Sequence, residues 1–337
     1  MVKMLVFDLK ETEKKYFDKT NLSDFEMTFF KESLCKDTKL TLKEYEDTVI
    51  ISVFTSSKIT SEVLNQFRNL RVIATRSVEY NHIDIEECRK RNIAVIHVND
   101  YGSIGVAQYV IGTIFTLIRK IIPAAKDIRT KNVRYERYEG DNITKLKLGV
   151  VGTGSVGTKV CELAHALGMK IYANDIKINH NLNDFVEYVS FSDLLRKSDI
   201  VTLHIPYIKD FHHLVSYKEF ELMKESAIII NTSNGGLIDT LALYYAIKNN
   251  KLGGAVLDVI ECNEWRNNTQ EFNNKSKNLS YECLEYTIAA TELMESDNVI
   301  ITPRIAYNTK DSTETILKIS FRDIKDYFKG GHSNRVI

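Results

Sequence analysis

The chain has 337 residues, 44% of them hydrophobic, and its 45 Lys and Arg residues balance 45 Asp and Glu residues to a formal charge of zero. This length suits two domains of ordinary size. The neutral balance does not indicate the basic surface with which proteins bind nucleic acid or anionic membranes. No stretch approaches the roughly 18 apolar residues of a transmembrane helix, and five cysteines without CxxC spacing favour free thiols in a reducing compartment. We expect a soluble cytoplasmic protein that binds neither nucleic acid nor membrane.

Residues 1–100 alternate short apolar runs with helical patterns. Asp84 precedes one of these helices as an N-cap acid, with Glu87 three residues later in a variant of the capping box. Alternating strands and helices predict a parallel sheet with helices on both faces. The predicted strands are 4–7, 48–53, 71–75 and 93–96.

A helix is predicted at about 101–125, and its apolar residues occur nearly all round it. Such a helix must be buried on most sides, either between domains or against a partner subunit. Residues 126–144 are polar and charged and are predicted to form a connecting loop. The apolar positions are Val106, Val110, Ile111, Ile114, Phe115, Leu117, Ile118, Ile121 and Ile122.

A glycine-rich turn follows the next apolar strand, 145–151, and a helical pattern follows the turn. In Gly152-Thr-Gly154-Ser-Val-Gly157 the first glycine permits a tight turn and the second lets a pyrophosphate approach the backbone. The third glycine lets helix and strand pack closely, and the helix N-terminus attracts phosphates. The next strand, 170–175, ends in Asp175, whose carboxylate can accept the ribose hydroxyls of NAD and would repel the 2′-phosphate of NADP. These features predict an NAD site.

The second half of the chain continues the alternation, with predicted strands at 199–204, 226–231, 254–258 and 298–302. Each of these strands ends in a polar residue, at the edge where open α/β sheets bind ligands. A long polar insertion is predicted between residues 261 and 298, an amphipathic helix at 312–328, and a frayed end after Gly330. His212 and His213 are predicted to be surface residues without a third metal ligand, so no metal site is expected.

Six motifs together resemble those of the NAD-dependent D-2-hydroxyacid dehydrogenases, in particular the branch of D-lactate dehydrogenases that includes those of vancomycin-resistance clusters. The resemblance implies an α/β fold of two Rossmann-like domains with parallel sheets, the cofactor domain being inserted into the substrate domain. It implies a discontinuous substrate domain at 1–100 and 303–337, an NAD-binding domain at 101–302, and a homodimer built on the helix at 101–125. The motifs are Arg76-Ser-Val-Glu-Tyr-Asn-His-Ile-Asp84, the glycine turn, Val201-Thr-Leu-His-Ile-Pro206, Asn231-Thr-Ser-Asn-Gly-Gly-Leu-Ile-Asp239, Gly253-Gly-Ala-Val-Leu-Asp-Val259 and Val299-Ile-Ile-Thr-Pro-Arg-Ile-Ala-Tyr307.

The positions that bind the cofactor in this family carry suitable residues here. The resemblance assigns the adenosine side to residues around the glycine turn and the nicotinamide side to residues after the later strands. The cofactor-binding residues so implied are Gly152, Gly154, Ser155, Val156, Gly157, Asp175, Ile205, Pro206, Thr232, Ser233, Asn234 and Asp258.

All three catalytic positions of the family are substituted in this chain. Asn234 stands at the position of the arginine that binds the substrate carboxylate, and Arg304 at that of the histidine acid. Asn263 stands at the position of the glutamate that tunes the histidine. In the loop that would hold the substrate carboxylate, at Val78 and Glu79, an acid replaces the usual glycine. Its charge would repel a 2-keto acid by on the order of 1–4 kcal/mol.

These substitutions favour two hypotheses over an ordinary D-lactate dehydrogenase. The first is a redox enzyme in which Glu79 holds a cationic or imine-type substrate and Tyr101 or Tyr307 replaces the proton donor. The second is an inactive NAD-bound pseudoenzyme that binds a protein partner. Both hypotheses predict that Glu79 and Arg304 lie close together. An open cleft would favour the enzyme, and a cleft closed by their pairing would favour the pseudoenzyme.

Overall fold

The computed structural model describes residues 1–17, 24–38, 45–131, 133–262 and 280–337. Contacts divide the chain into two compact units, Met1–Tyr101 with Thr309–Ile337, and Gly102–Asn308. The second unit is therefore inserted in the sequence of the first. Residues 303–308, which the sequence assigns to the substrate domain, group with the second unit.

The first unit is built on a five-stranded parallel sheet in the order β2-β1-β3-β4-β5. Strand β2 was not among the predicted strands. It lies at the edge of the sheet and is only partly buried, so its sequence lacks the continuous apolar run of a buried strand. The elements are β1 (Val2–Val6), α1 (Glu11–Phe17), β2 (Phe25–Phe29), β3 (Ile50–Val53), α2 (Ser61–Leu64), β4 (Val72–Thr75), α3 (Ile85–Lys90) and β5 (Ala94–Ile96).

Apolar clusters cover this first sheet on both faces, as expected for a parallel sheet. The buried Arg76 donates hydrogen bonds to Ser52 Oγ at 2.9 Å and to the Phe7 carbonyl at 2.8 Å. The carboxylate of Glu13, also buried, lies 3.7 Å from its guanidinium. A charged side chain is therefore held inside the unit because hydrogen-bond acceptors and an opposite charge surround it.

The second unit is built on a seven-stranded parallel sheet in the order β12-β11-β10-β9-β6-β7-β8. Two parallel sheets with helical crossovers confirm the predicted fold class. The elements are α4 (Ser103–Ile118), α5 (Ile121–Thr130), β6 (Lys147–Val151), α6 (Ser155–Ala166), β7 (Lys170–Asn174), β8 (Val186–Tyr188), α7 (Phe191–Lys197), β9 (Ile200–Leu203), α8 (Tyr217–Leu222), β10 (Ile228–Asn231), α9 (Thr240–Lys248), β11 (Gly254–Leu257), α10 (Tyr281–Met294) and β12 (Val299–Ile301).

The single helix predicted at 101–125 is wrong, because two helices, α4 and α5, occupy this stretch at an angle of 55°. Lys120, between them, adopts a left-handed backbone conformation with φ of +50°, which ends the first helix. Only α4 is buried, through residues such as Val110 and Ile114, whereas none of the residues of α5 is buried. The predicted loop at 126–144 is also wrong, because α5 continues to Thr130 and short 3-10 turns follow at Tyr135–Tyr138 and Ile143–Lys145.

No single helix in the described ranges is long and apolar enough to cross a membrane. Taken together, the two helices α4 and α5 are long and apolar enough for a span, but the chain bends by 55° between them.

The predicted polar insertion between 261 and 298 is interrupted by helix α10, which begins after the N-cap Ser280. The expectation that all cysteines are free thiols is wrong for one pair, since Cys262 and Cys283 form a disulfide. Cys35, Cys88 and Cys161 are free. Asn263, the substituted glutamate position, lies outside the described residues.

The last helix, α11 (Lys310–Phe328), belongs to the first unit and begins at the N-cap Thr309. The tail after it was expected to be frayed, and this expectation is wrong. The Val336 N–H donates to the Val95 carbonyl at 2.8 Å, and Arg335 forms an antiparallel bridge with Ile96. The tail therefore extends the hydrogen bonding of β5.

Candidate functional site

The glycine turn connects β6 to α6 at the carboxyl edge of the second sheet. Gly152 has a φ of +91°, and a Cβ there would lie 2.7 Å from the His204 carbonyl oxygen. A Cβ at Gly157 would lie 1.9 Å from the carbonyl oxygen of Gly152. At Gly154, the N-cap of α6, a Cβ would meet nothing within 4 Å. The first and third glycines are thus required by close packing, and the second leaves the space that a pyrophosphate needs.

Asp175 follows β7 and is oriented by hydrogen bonds from its neighbours. One carboxylate oxygen accepts from the Thr153 N–H at 2.5 Å and from its hydroxyl at 3.0 Å, and the other accepts from the Lys177 N–H at 2.9 Å. Burial alone would raise the pKa of Asp175, but these hydrogen bonds outweigh it and the pKa is lowered. The carboxylate is therefore ionised at neutral pH, as the recognition of ribose hydroxyls requires.

The order of the sheet changes direction between the neighbouring strands β6 and β9, and open α/β sheets bind ligands at such a point. Ile205 and Pro206 follow β9 there. After β10, the buried hydroxyl of Thr232 has no hydrogen-bond partner among the described residues. The neighbouring Ser233 hydroxyl donates to the Leu203 carbonyl at 2.8 Å. An unsatisfied buried hydroxyl at the same edge of the sheet as the glycine turn fits a polar ligand such as NAD.

Asn234 begins the 3-10 turn Gly235–Leu237, and its side chain forms part of that turn. Its carbonyl oxygen Oδ1 accepts from the Gly236 N–H at 3.1 Å, while its main-chain carbonyl accepts from Asn231 Nδ2 at 2.8 Å. The side-chain oxygen of Asn234 thus caps its own turn. An arginine side chain has no hydrogen-bond acceptor, so an arginine at this position could not cap the turn in this way.

Asp258 follows β11 and is only 2% exposed. Its carboxylate accepts from the Thr302 hydroxyl at 2.7 Å, the Ile305 N–H at 2.7 Å and the Ala306 N–H at 2.9 Å. The hydroxyl of Tyr109, on α4, lies 2.6 Å from the Thr302 hydroxyl. This network, which the sequence did not predict, fixes the segment 302–306, and no short motif could have signalled it.

Arg304 lies in the middle of that segment in a left-handed conformation, with a φ of +55°. Its N–H donates to the Asp258 carbonyl at 3.0 Å. Arg304 lines a cavity of about 130 Å³ at the carboxyl edge of the second sheet. The other lining residues are Ser233, Asn234, Gly235, Gly236, Val259, Ile260 and Glu261. Two of the three substituted catalytic positions therefore meet at one cavity.

The remaining candidate residues are distributed between the units. Tyr307 belongs to the second unit and is half-buried. Val78, Glu79 and Tyr101 belong to the first unit, where the Glu79 carbonyl accepts from the Ser77 hydroxyl at 2.6 Å. The proximity of Glu79 and Arg304 stays a prediction, because the two residues belong to different units.

A larger cavity of about 530 Å³ lies at the opposite edge of the same sheet. It is lined by residues at the starts of three strands, among them Ile228, Gly253 and Val299. Because α/β sheets bind their cofactors at the carboxyl ends of the strands, this cavity is not the dinucleotide site.

The expectation that His212 and His213 have no third ligand nearby is wrong. Glu261, which is 48 residues from His213 in sequence, forms a cluster with both histidines. The sequence separation of these residues explains why their spacing did not reveal the cluster.

Comparisons with known proteins agree with this geometry. A family model for the NAD-binding domain of D-isomer specific 2-hydroxyacid dehydrogenases matches residues 111–306. The chain is 33% identical over 282 residues to the D-specific alpha-keto acid dehydrogenase of Enterococcus faecium, with 82% of each chain covered. It is 29% identical over 335 residues to the D-lactate dehydrogenase of Escherichia coli, with 98% of each covered.

Among solved structures, the fold is similar to that of D-lactate dehydrogenase from Aquifex aeolicus complexed with NAD and lactic acid. The TM-score is 0.84 at 31% identity, covering 97% of this chain and 96% of the other. The NAD-binding family model and this NAD complex confirm the predicted cofactor.

Proposed function

The chain belongs to the D-isomer specific 2-hydroxyacid dehydrogenases, and on that premise we propose that it is an NAD-dependent oxidoreductase whose substrate is not a simple 2-keto acid. The relatives are named for ordinary 2-keto acid and D-lactate chemistry. The proposal therefore concerns the difference between this chain and those relatives.

The observation that carries the proposal is Arg304 at the cavity beside Asn234. Reduction of a 2-keto acid requires a proton donor for the developing alkoxide and a cation for the carboxylate. A guanidinium stays protonated in proteins, so Arg304 can stabilise an anion but cannot act as the proton donor. Loss of a general acid typically lowers the rate by about 10²–10⁴-fold.

We propose that the substrate carries an electron-poor carbon such as that of an iminium ion. When bound, NADH would supply a hydride. An iminium carbon could accept it without simultaneous protonation, because the C=N π electrons would become the nitrogen lone pair. Glu79 would hold the positive charge of the substrate, and Tyr101 or Tyr307 would supply a proton where a related substrate needs one.

The first experiment measures NADH binding by nicotinamide fluorescence and then turnover of two substrate classes. Pyruvate and larger 2-keto acids form one class, and a cyclic imine such as 1-pyrroline is the probe for the other. We expect NADH binding, oxidation of NADH with the imine, and 2-keto acid rates at least about 10²-fold below those of an ordinary dehydrogenase. The Glu79→Gln variant should lose imine reduction while NADH binding is unchanged.

A triple variant, Asn234→Arg, Asn263→Glu and Arg304→His, restores the residue types of the family and should raise pyruvate reduction. Ordinary pyruvate turnover by the unaltered protein would refute the proposal. NADH binding without turnover of either class would instead support the non-catalytic alternative, a pseudoenzyme that binds a protein partner.

We also propose that the chain forms a homodimer through the helices at 103–130. The apolar side chains of Ile121, Ile122 and Ile128 on α5 are 50%, 51% and 67% exposed, and surfaces of this kind are common at subunit contacts. Light scattering should give twice the mass of the chain, and Ile122→Asp should shift it toward the monomer. A monomer at all concentrations would refute this assembly.

A further inference from the structure

We propose that His212, His213 and Glu261 bind a divalent transition-metal ion of the Zn²⁺ class. The potential ligand atoms of the three side chains all lie within 4.8 Å of one another. Glu261 Oε1 is 2.9 Å from His213 Nε2. The histidines follow the 3-10 turn Lys209–Phe211, and Glu261 follows β11, so two segments distant in sequence form the cluster.

The backbone around His213 holds its side chain toward Glu261. His213 has a φ of +54°, a left-handed conformation that costs energy for a residue with a side chain. Its N–H donates to the Gly236 carbonyl at 2.8 Å, and the Val215 N–H donates to the Leu237 carbonyl at 3.0 Å. The loop is therefore fixed against the 3-10 turn after β10, and His213 is held in place by more than its contact with Glu261.

Each of the three side chains also has a polar neighbour on the atom that would not face the metal. Tyr207 Oη lies 3.3 Å from His212 Nδ1, and the Asp239 carboxylate lies 3.9 Å from His213 Nδ1. The second oxygen of Glu261 accepts from the Thr240 hydroxyl at 3.2 Å. Metal-binding histidines typically have a carboxylate or other polar group at their second nitrogen, which sets the tautomer and orients the ring.

With these neighbours on Nδ1 and Oε2, the ligand atoms left for a metal are Nε2 of each histidine and Oε1 of Glu261. The two imidazole rings are stacked with their centroids 3.8 Å apart, so the exposed His212 ring would turn to bring its Nε2 to the shared ion. On metal binding, the contact between His213 Nε2 and Glu261 Oε1 would be replaced by bonds from both atoms to the ion. A neutral imidazole bound through Nε2 carries its single N–H on Nδ1, the atom that lies on the side of Asp239. Two imidazoles and one carboxylate form a known ligand set of Zn²⁺, with a fourth position for water. His212 is exposed, so solvent reaches that fourth position.

A soft thiolate ligand is not part of this set. Cys262 is adjacent to Glu261, but its sulphur is bonded to Cys283. Nitrogen and oxygen ligands should therefore be distinguishable from sulphur by spectroscopy, because Co²⁺ reports its ligands through its absorption bands.

The test is a Co²⁺ titration of the metal-free, full-length protein with the disulfide intact. We expect one ion per chain, visible d–d absorption without a sulphur-to-cobalt charge-transfer band, and displacement of Co²⁺ by Zn²⁺. Because changing a partner beyond the ligands already costs about 10–100-fold in affinity, His213→Gln and Glu261→Gln should each weaken Co²⁺ binding by more than about 100-fold. The control His180→Gln, at an exposed histidine remote in sequence, should leave it unchanged.

The exposed His212 provides a variant that is not expected to disturb folding. His212→Gln should weaken Co²⁺ binding while the circular dichroism spectrum and NADH binding stay those of the unaltered protein. Absence of Co²⁺ binding at millimolar concentration, or equal binding by all four variants, would overturn the proposal. A charge-transfer band would overturn it as well, because it would assign the ion to cysteine.

Discussion

The buried carboxylate of Asp258 is expected to hold the segment that carries Arg304, and Asp258→Ala removes it. The carboxylate accepts hydrogen bonds from the Thr302 hydroxyl and from the N–H groups of Ile305 and Ala306. Hydrogen bonds to a charged group are worth about 1.5–3 kcal/mol each. Because the three share one acceptor group they are not additive, and we expect a loss of about 3–5 kcal/mol in the free energy of unfolding.

Asp258→Asn separates the loss of charge from the loss of shape. Asparagine keeps one acceptor oxygen, but its NH₂ group would face a donor, so we expect a smaller loss of about 1–3 kcal/mol. The matched control is Asp297→Asn, which breaks an exposed ion pair with Arg137 at 3.1 Å. Pairs of this kind contribute about 0–1 kcal/mol.

Urea unfolding followed by circular dichroism measures these differences as shifts of the midpoint at constant slope. The variants should rank with Asp258→Ala the least stable, Asp258→Asn intermediate, and Asp297→Asn close to the unaltered protein. A loss below about 1 kcal/mol for Asp258→Ala would refute the reasoning, because it would mean that the three donors find equally good partners elsewhere.

Three further predictions concern the cofactor turn and its neighbours. Asp175→Ser should reduce the preference for NADH over NADPH by about tenfold or more, roughly 1.4 kcal/mol, in fluorescence titrations, and an unchanged ratio would contradict its assigned role. Gly157→Ala should weaken NADH binding because the new Cβ would lie 1.9 Å from the Gly152 carbonyl oxygen, whereas Gly112→Ala, whose Cβ meets nothing within 4 Å, should not. Desolvation lowers the pKa of His204 to about 3, so below about pH 6.5 the unfolded chain binds a proton that the folded chain does not. The free energy of unfolding should then fall by about 1.4 kcal/mol per pH unit as the pH decreases toward 3, and His204→Gln should remove that part of the slope.

The elements that were predicted correctly from the sequence are those whose local pattern of apolar residues matches their burial in the fold. Central strands such as Ile200–Leu203 are buried along their whole length, so their apolar runs were visible. The glycine turn was visible because its three glycines stand at the fixed spacing of a dinucleotide-binding turn between a strand and a helix, and Asp175 because it ends the next strand. In contrast, the break at Lys120 was missed although Pro123 stands in the first turn of α5, where a proline is tolerated and marks the start of a new helix. The apolar pattern that continues across Lys120 favoured one long helix.

The parts of the site that the sequence missed depend on contacts between distant segments. Thr302 bonds to Asp258 across 44 residues, and Glu261 bonds to His213 across 48. Asp258 and the two histidines were singled out from the sequence, but their partners Thr302 and Glu261 are set by the order of strands β10, β11 and β12 in the sheet. That order brings the ends of these strands side by side, and a single sequence does not contain it.

The bond between Cys262 and Cys283, which are 21 positions apart in sequence, closes a covalent loop in the chain. A protease that cut the backbone once between these cysteines would therefore yield two fragments that still form one covalent molecule. The nicked protein would migrate at full mass in a denaturing gel and separate only after a reductant is added. Helix α10 and strand β12 would stay tethered to β11 after such a cut.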